Sequence, residues 1–375
     1  MFPAACIAAS AARHSGGQSV YSKWMPTTGV RWKETARSFA GDIIRCWGRI
    51  LAGYRPELAI EVTRECPLQC PGCYAYAPEH VAGKLPLRSL SDLKGEALVD
   101  GVLRLVRQHR PLHVSLVGGE PLVRYRELDA LLPQLVNRGI HVQVVTSAVR
   151  PIPQSWAVLP RLNLTVSIDG LAAEHDARRR PATYDRVLQH IDGHHVTVHC
   201  TITRQQMQRG DYIEEFVKFW SAQPAAKRIW MSLYTPQLGE QSPERLTGDE
   251  RRRAIEELRR LRPLYSKLDI GPIVLGQLAA PPASPRECAF VSLSTCISAD
   301  LETPVTPCLL GGTPDCSTCG CMAAAGIGAI TRYKLFGVIP LKTLVTGSRA
   351  IGSIPRAMRA LRGNGHLPME NAEVR

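Results

Sequence analysis

Leu58-Ala59-Ile60-Glu61-Val62-Thr63, followed within three residues by Cys66-x3-Cys70-x2-Cys73, decides how this chain is read. The first six residues alternate and are rich in β-branched types, which predicts a β-strand. The three cysteines then lie on the loop that leaves it, at the strand end where α/β barrels gather their chemistry. Three thiolates so close together hold three corners of a [4Fe–4S] cluster, whose fourth iron stays open to a small molecule. The rival is a zinc knuckle, but zinc takes paired ligands and a fourth partner nearby. None follows here until His80.

A second strand-like run, Leu112–Val117, ends in Gly118-Gly119-Glu120-Pro121. Further on, Thr165-Val166-Ser167-Ile168-Asp169-Gly170 precedes His175-Asp176, Arg179, Tyr184 and Asp185-Arg186-Val187. Glycines allow close backbone approach, and a carboxylate suits an ammonium partner. Taken in this order over roughly residues 58–321, the motifs resemble those of the radical S-adenosylmethionine (SAM) superfamily. The resemblance implies that Gly118, Gly119 and Glu120 contact the SAM amino group and that Ser167, followed by Asp169, touches the ribose. It gives Arg179 the carboxylate, which a guanidinium fork suits; Arg178 and Arg180 flank it as alternative registers. Thr146-Ser147 stands where many relatives carry Thr-Asn-Gly, which puts Ser147 in the cofactor set. Gly72 replaces the aromatic residue that usually precedes the third cysteine, so Tyr74 is not assigned to the adenine pocket.

Strands are predicted at 58–63, 112–117, 140–146, 162–168, 195–202 and 228–234, with helices near 92–109, 124–138, 184–193, 211–222 and 248–262. The last helix opens with a Thr247-x-x-Glu250 capping box and carries Glu256 and Arg260 at i,i+4. Arg251-Arg252-Arg253 reads as its solvated face. Six such units make an α/β fold, a partial (β/α)6 TIM-like barrel with right-handed crossovers. The expected division is an N-terminal tail and amphipathic helix at 1–57, the barrel at 58–271, a cysteine-rich domain at 272–321 and a basic apolar tail at 322–375.

The cysteine-rich part follows a proline linker, Pro281-Pro282-Ala283-Ser284-Pro285. Cys296-x11-Cys308, with prolines between, reads as a hairpin that brings two thiolates together; Cys316, Cys319 and Cys321 form a compact group. Four of these fully ligate a second Fe–S cluster. Cys296, Cys308, Cys316 and Cys319 are the expected set, with Cys288 and Cys321 as alternates and a structural zinc at Cys316, Cys319 and Cys321 as the rival. The domain resembles the SPASM/twitch auxiliary-cluster group, although its spacings differ.

Twelve cysteines in 375 residues, clustered in this way, suggest metal sites in a reducing compartment, and a cytoplasmic enzyme is expected. The apolar run Phe2–Ala12 lacks the basic start of a signal peptide. Of the net charge of +13, +11 resides in residues 1–33 and 322–369, which contain no acids. The body is nearly balanced, which argues against a nucleic-acid reader. Trp32, Phe39, Ile43, Cys46, Trp47 and Ile50 share one helical face, with Arg37, Arg45 and Arg49 away from it; the helix either lies at a membrane interface or docks on the barrel. Basic apolar tails suit the inner face of an anionic membrane. A small-molecule or lipid substrate is therefore expected, in a layout loosely similar to that of adenosylhopane synthases, with a peptide as the alternative. A reductase such as flavodoxin or ferredoxin is implied as the electron donor. His199, Cys200, Tyr234 and Asp169 are the candidates to face the substrate.

Overall fold

The structure, a computed structural model, describes residues 41–362 apart from 43, 82, 182–183, 333 and 336–338. All six expected strands form: β1 Glu57–Glu61, β2 His113–Val117, β3 His141–Thr146, β4 Leu162–Ser167, β5 Val196–Ile202 and β6 Ala226–Leu233. They pair in parallel in sequence order, each with the next. Their outward residues are aliphatic: Leu58, Ile60, Val114, Leu116, Val142, Val144, Leu164, Val166 and Val198 are buried in one core with the helices. Among these helices are α1 (Gly95–His109), α2 (Tyr125–Asn137), α3 (Ala172–Arg178), α4 (Tyr184–His190), α5 (Tyr212–Ala222) and α6 (Gly248–Leu261).

The other face of the sheet is polar. Gln143 donates to the Thr165 hydroxyl (3.1 Å), Asn163 joins both Thr165 and Thr197, and His199 meets the Ser232 hydroxyl at 2.7 Å. Glu57 and His113 pair at 2.6 Å near the strand starts. Alternation along each strand makes this the inner face, because the aliphatic face packs on the helices.

A seventh strand, β7 (Ser294–Ile297), departs from the six expected. It comes from the cysteine-rich segment and pairs in parallel with β1, with Cys296 opposite Ala59. The boundary at 271/272 therefore cuts through one sheet. Arg55 donates to the Ser294 carbonyl, and Ser298 donates to the buried Glu61 carboxylate at 2.6 Å. The expected hairpin after Cys296 is present: Val305 N–H donates to Cys296 O and Ser298 N–H to Thr303 O. The chain then crosses to the far edge, where Pro314 bridges Gln237 and Leu233 N–H donates to Gly320 O. A Cβ at Gly320 would lie 2.1 Å from the Leu233 carbonyl oxygen, so this approach needs glycine.

Residues 322–332, read from sequence as part of a tail, are helix α8 (Met322–Arg332), which packs on helix α7 (Pro272–Ala279). Helix α9 (Leu341–Arg362) follows. Trp32, Phe39 and Ile43 lie outside the described residues. The described part of the N-terminal helix, residues 41–51 apart from 43, docks on the barrel: Ile50 is buried, and Asp42 reaches His141 of β3 at 3.0 Å.

The capping box of α6 forms in full. Arg260, however, pairs with Glu257 and Glu214 rather than Glu256. Arg251 is not on the solvated face: it donates to the carbonyls of Thr318 (2.8 Å), Cys319 (2.7 Å) and Leu278 (2.5 Å). A single side chain thus holds the cysteine turn against α6. Arg251→Ala leaves these acceptors without their donor, a loss of about 1–3 kcal/mol. The midpoint of urea unfolding is expected to fall accordingly, and an unchanged midpoint would show that the turn is held otherwise.

Candidate active site

β1 runs through Val62 and Thr63 into the cysteine loop, whose root is fixed from two sides. Thr63 Oγ1 donates to Asp92 Oδ2 (2.6 Å), which also accepts from Arg64 N–H and the buried Arg124 guanidinium. Arg124 further pairs with Glu65, next to Cys66, and with Lys94 it holds that carboxyl down at about 2. On the other side Gly119 N–H donates to Thr63 O and Glu120 N–H to Glu65 O, both at 2.8 Å. A Cβ at Gly119 would lie 2.2 Å from Glu65 O. The glycine pair therefore serves first to seat this turn on the cysteine loop.

Glu120 is buried, and the chain's own groups engage it. Oε1 accepts from Leu122 N–H (2.9 Å) and Thr146 Oγ1 (2.5 Å), and Oε2 accepts from Ser147 N–H (2.8 Å) and the Ser147 hydroxyl. Thr146 and Ser147 thus meet Glu120 at the ends of adjacent strands.

Cys66, Cys70 and Cys73 are half-buried. Burial pushes the Cys66 thiol up to about 11, against a hydrogen bond from Leu68 N–H. Burial also raises Cys70 and Cys73, while the charges of Arg179 and Arg178 pull both back. These guanidiniums stand on the C-terminal end of α3. Arg179 Nε meets Asp169 Oδ2 at 2.8 Å, and Arg178 spans Asp169 (2.7 Å) and Glu244 (2.7 Å). Arg180 points away to the Ala177 carbonyl, while its own carbonyl accepts from Gln69 N–H in the cysteine loop. Asp169 is buried: desolvation pushes its carboxyl up, and the two arginines more than reverse this, leaving it well below the ordinary range. Ser167 and His199 are paired in register on β4 and β5. Cys200 is fully buried, and burial raises its thiol.

Gly72 has φ +63°, and a Cβ there would lie 2.7 Å from Glu244 Oε2 and 3.1 Å from Tyr234 Oη. The position expected to be aromatic thus fits only glycine, because Tyr234 and Glu244 fill the space. A cleft of about 330 Å³ opens beside it, lined by Cys70, Cys73, Tyr74, Tyr76, Tyr234 and Glu240.

The second cysteine group surrounds a separate small cavity. Cys288, Cys308, Cys316, Cys319 and Cys321 all line it, together with Pro282, Pro307 and Phe290. Cys296 does not; it lies on β7 in the adjoining apolar cluster. Both expected alternates therefore face the cavity, and one of the four preferred ligands lies behind it. Burial drives the thiols of Cys316 and Cys321 to about 12. Thr235 lines both this cavity and the cleft, so the two cysteine groups share a wall. His80 braces it from inside: its Nε2 meets Glu61 Oε1 at 2.6 Å and its Nδ1 meets Leu310 O at 3.1 Å. Both ring nitrogens are engaged, so His80 offers no fourth ligand to a zinc knuckle. Among the described residues no three His, Cys, Asp or Glu side chains converge as a single-ion site. Three thiols on one loop, beside an open cleft and two guanidiniums, suit an anionic thiolate-bound cluster with one exposed corner.

Glu244, Arg251, Thr235, Asp92, Arg124, Glu240 and the Glu61–His80 pair are among the members of these sites that the sequence motifs omit. Most of their partners are distant in sequence, and only the fold brings them in.

Residues 60–203 match the profile of the radical SAM superfamily. A 100-residue stretch is 35% identical to 7-carboxy-7-deazaguanine synthase of Hyperthermus butylicus, covering 25% of this chain and 37% of the relative. A 93-residue stretch is 36% identical to PqqA peptide cyclase of Granulibacter bethesdensis, covering 24% of this chain and 22% of that one. The matched region thus spans between about a fifth and two fifths of these curated relatives. In fold the chain is similar to Streptococcus suis SuiB bound to precursor peptide SuiA, at a TM-score of 0.52 and 15% identity over 85% of this chain and 72% of SuiB.

Proposed function

We propose, from the match of residues 60–203 to the radical SAM profile, that this chain cleaves SAM reductively and modifies a peptide. Members of this superfamily are enzymes that use a [4Fe–4S] cluster and SAM. Cys66, Cys70 and Cys73 would hold the cluster, which supplies the electron that splits SAM into methionine and a 5′-deoxyadenosyl radical. Everything else falls to the chain's own residues. Gly118, Gly119 and Glu120 would seat the SAM amino group through their backbone, because the Glu120 carboxylate is already taken up by Leu122, Thr146 and Ser147. Ser167 faces the ribose, and Arg179, tethered by Asp169, offers its remaining guanidinium N–H groups to the carboxylate. Tyr74, Tyr76 and Tyr234 narrow the cleft and exclude water. Four of the five cavity thiols, Cys288, Cys308, Cys316, Cys319 and Cys321, would ligate a second cluster, and flavodoxin or ferredoxin would supply electrons to both.

The inner face of the barrel is polar and internally paired: Gln143, Asn163, Thr165, Thr197, His199 and Ser232 are hydrogen-bonded to one another across β3 to β6. A peptide substrate is supported by the partial match to a PqqA peptide cyclase and by the fold shared with peptide-bound SuiB, and the lipid substrate expected from the basic tails gives way to it.

The test is anaerobic reconstitution, dithionite reduction, and mass spectrometry of 5′-deoxyadenosine and of a panel of peptides, including any encoded beside the gene. The expected result is 5′-deoxyadenosine together with a peptide changed in mass. Absence of 5′-deoxyadenosine would overturn SAM cleavage. Turnover stimulated by a lipid extract but by no peptide would overturn the peptide reading alone.

A further inference from the structure

Glu244 stands on the loop between β6 and α6 and is only 6% exposed. Both of its oxygens grip Arg178: Nε donates to Oε1 at 2.7 Å and Nη2 to Oε2 at 3.0 Å. The third nitrogen of that fork, Nη1, lies 2.7 Å from Asp169 Oδ2. Arg178 is therefore fully engaged by two carboxylates. Arg179, by contrast, makes one ion-pair contact among the described residues, from Nε to the same Asp169 oxygen.

The Glu244 carboxylate also borders the cysteine loop. Gly72 lies between Cys70 and Cys73, and Glu244 Oε2 is the nearest atom that a Cβ at Gly72 would meet. The loop thus rests on an anion that is itself held by a cation. Two guanidiniums and two carboxylates make this group neutral. His175 and His199 add no charge near neutral pH, because burial lowers both to about 4. The guanidiniums are felt at the thiols, where their charges pull Cys70 and Cys73 down against burial. Asp169 alone would leave one of these positive charges uncompensated.

We propose that Glu244, acting through Arg178, is the counter-charge that sets the reduction potential of the cluster held by Cys66, Cys70 and Cys73. It is a positioning residue, and the proposal rests on the cluster reading of those three cysteines. The potential of an Fe–S cluster follows the net charge around it. Reduction adds an electron, so an uncompensated guanidinium would stabilise the reduced form. The cluster would then be a weaker donor to the sulfonium it has to split. Glu244 prevents this without occupying the open corner.

The test is a redox titration of the anaerobically reconstituted full chain, followed by electron paramagnetic resonance. The signal read is the one missing from the Cys66→Ala, Cys70→Ala, Cys73→Ala variant. Glu244→Gln keeps the shape and one acceptor oxygen but removes the charge. It is expected to favour the reduced form about tenfold, a positive shift of about 59 mV for one electron. Glu244→Asp keeps the charge and is expected to undo most of that shift. Arg178→Gln is expected to shift the potential the opposite way, and the Arg178→Gln, Glu244→Gln double variant to return near the wild type. A merely structural role would lower iron content and melting temperature in these variants without reversing the sign of the shift. An unshifted potential in Glu244→Gln, or a double variant that stays as far from wild type as Glu244→Gln, would overturn the proposal. If Glu244→Gln holds no cluster, Arg178→Gln decides, and a potential there that is not below wild type overturns it equally. Wild type that lacks the signal altogether would overturn the cluster reading, and this proposal with it.

Discussion

Alanine at Cys66, Cys70 and Cys73 together is expected to remove one cluster's iron, about four atoms per chain, and all production of 5′-deoxyadenosine. The three thiols project from a single loop whose root is pinned elsewhere, by Thr63–Asp92, Arg124–Glu65 and the Gly118-Gly119 turn. Removing them leaves those contacts untouched, so the triple variant should fold and keep the iron bound by Cys288, Cys308, Cys316, Cys319 and Cys321. Iron analysis and the electron paramagnetic resonance spectrum of the reduced protein separate the two groups. Undiminished iron in the triple variant would sink the assignment of the first cluster. Zinc in place of the remaining iron would sink that of the second.

Asp169→Ala is expected to produce the largest loss of stability of any single change at the site. The carboxylate is buried with two guanidiniums on one oxygen. Taking it away strands Arg179 and leaves Arg178 with Glu244 alone. Breaking a buried pair in this way costs about 3–5 kcal/mol. The folded-state pKa of Asp169 is depressed, so its contribution is complete above the unfolded value of about 3.9 and is lost only as pH falls through the lower folded value. Acidification to pH 5 should therefore leave this contribution intact. The variant should narrow its gap to wild type only in strong acid. Urea unfolding at several pH values checks this, and a gap that closes already near neutrality would mean that another group carries the effect.

The strands and the first cysteine group were legible because their signals are local. Alternation of period two marks β1 to β6, and three cysteines within eight residues need no tertiary structure to be recognised. β7 was not legible. Ser-Thr-Cys-Ile is four residues long and becomes a strand only because β1 lies beside it. Met322–Arg332 is rich in alanine and glycine, with no strong apolar stripe; its small residues suit close packing on Gln277, and that need shows only in three dimensions. Arg251 looked like its neighbours in an arginine run, and its carbonyl partners lie 27, 67 and 68 residues away. Glu244, 66 residues from Arg178, belongs to no motif at all. The inner face of the barrel was hidden in another way: Gln143, Thr165 and Thr197 each read as ordinary outward positions of a half-buried strand. They come together only when β3, β4 and β5 pair side by side.

The pairing of β1 with β7 also has a consequence in time. The hydrogen bond from Ser298 to Glu61 spans 237 residues. A ribosome adding about 5–20 residues per second needs roughly 10–50 s to make that stretch. Through that interval one side of β1 has no strand to pair with, while the cysteine loop it carries already protrudes. A nascent chain in this state presents an unpaired edge beside three reactive thiols. The part of the protein that begins to fold first is thus the last to be sealed.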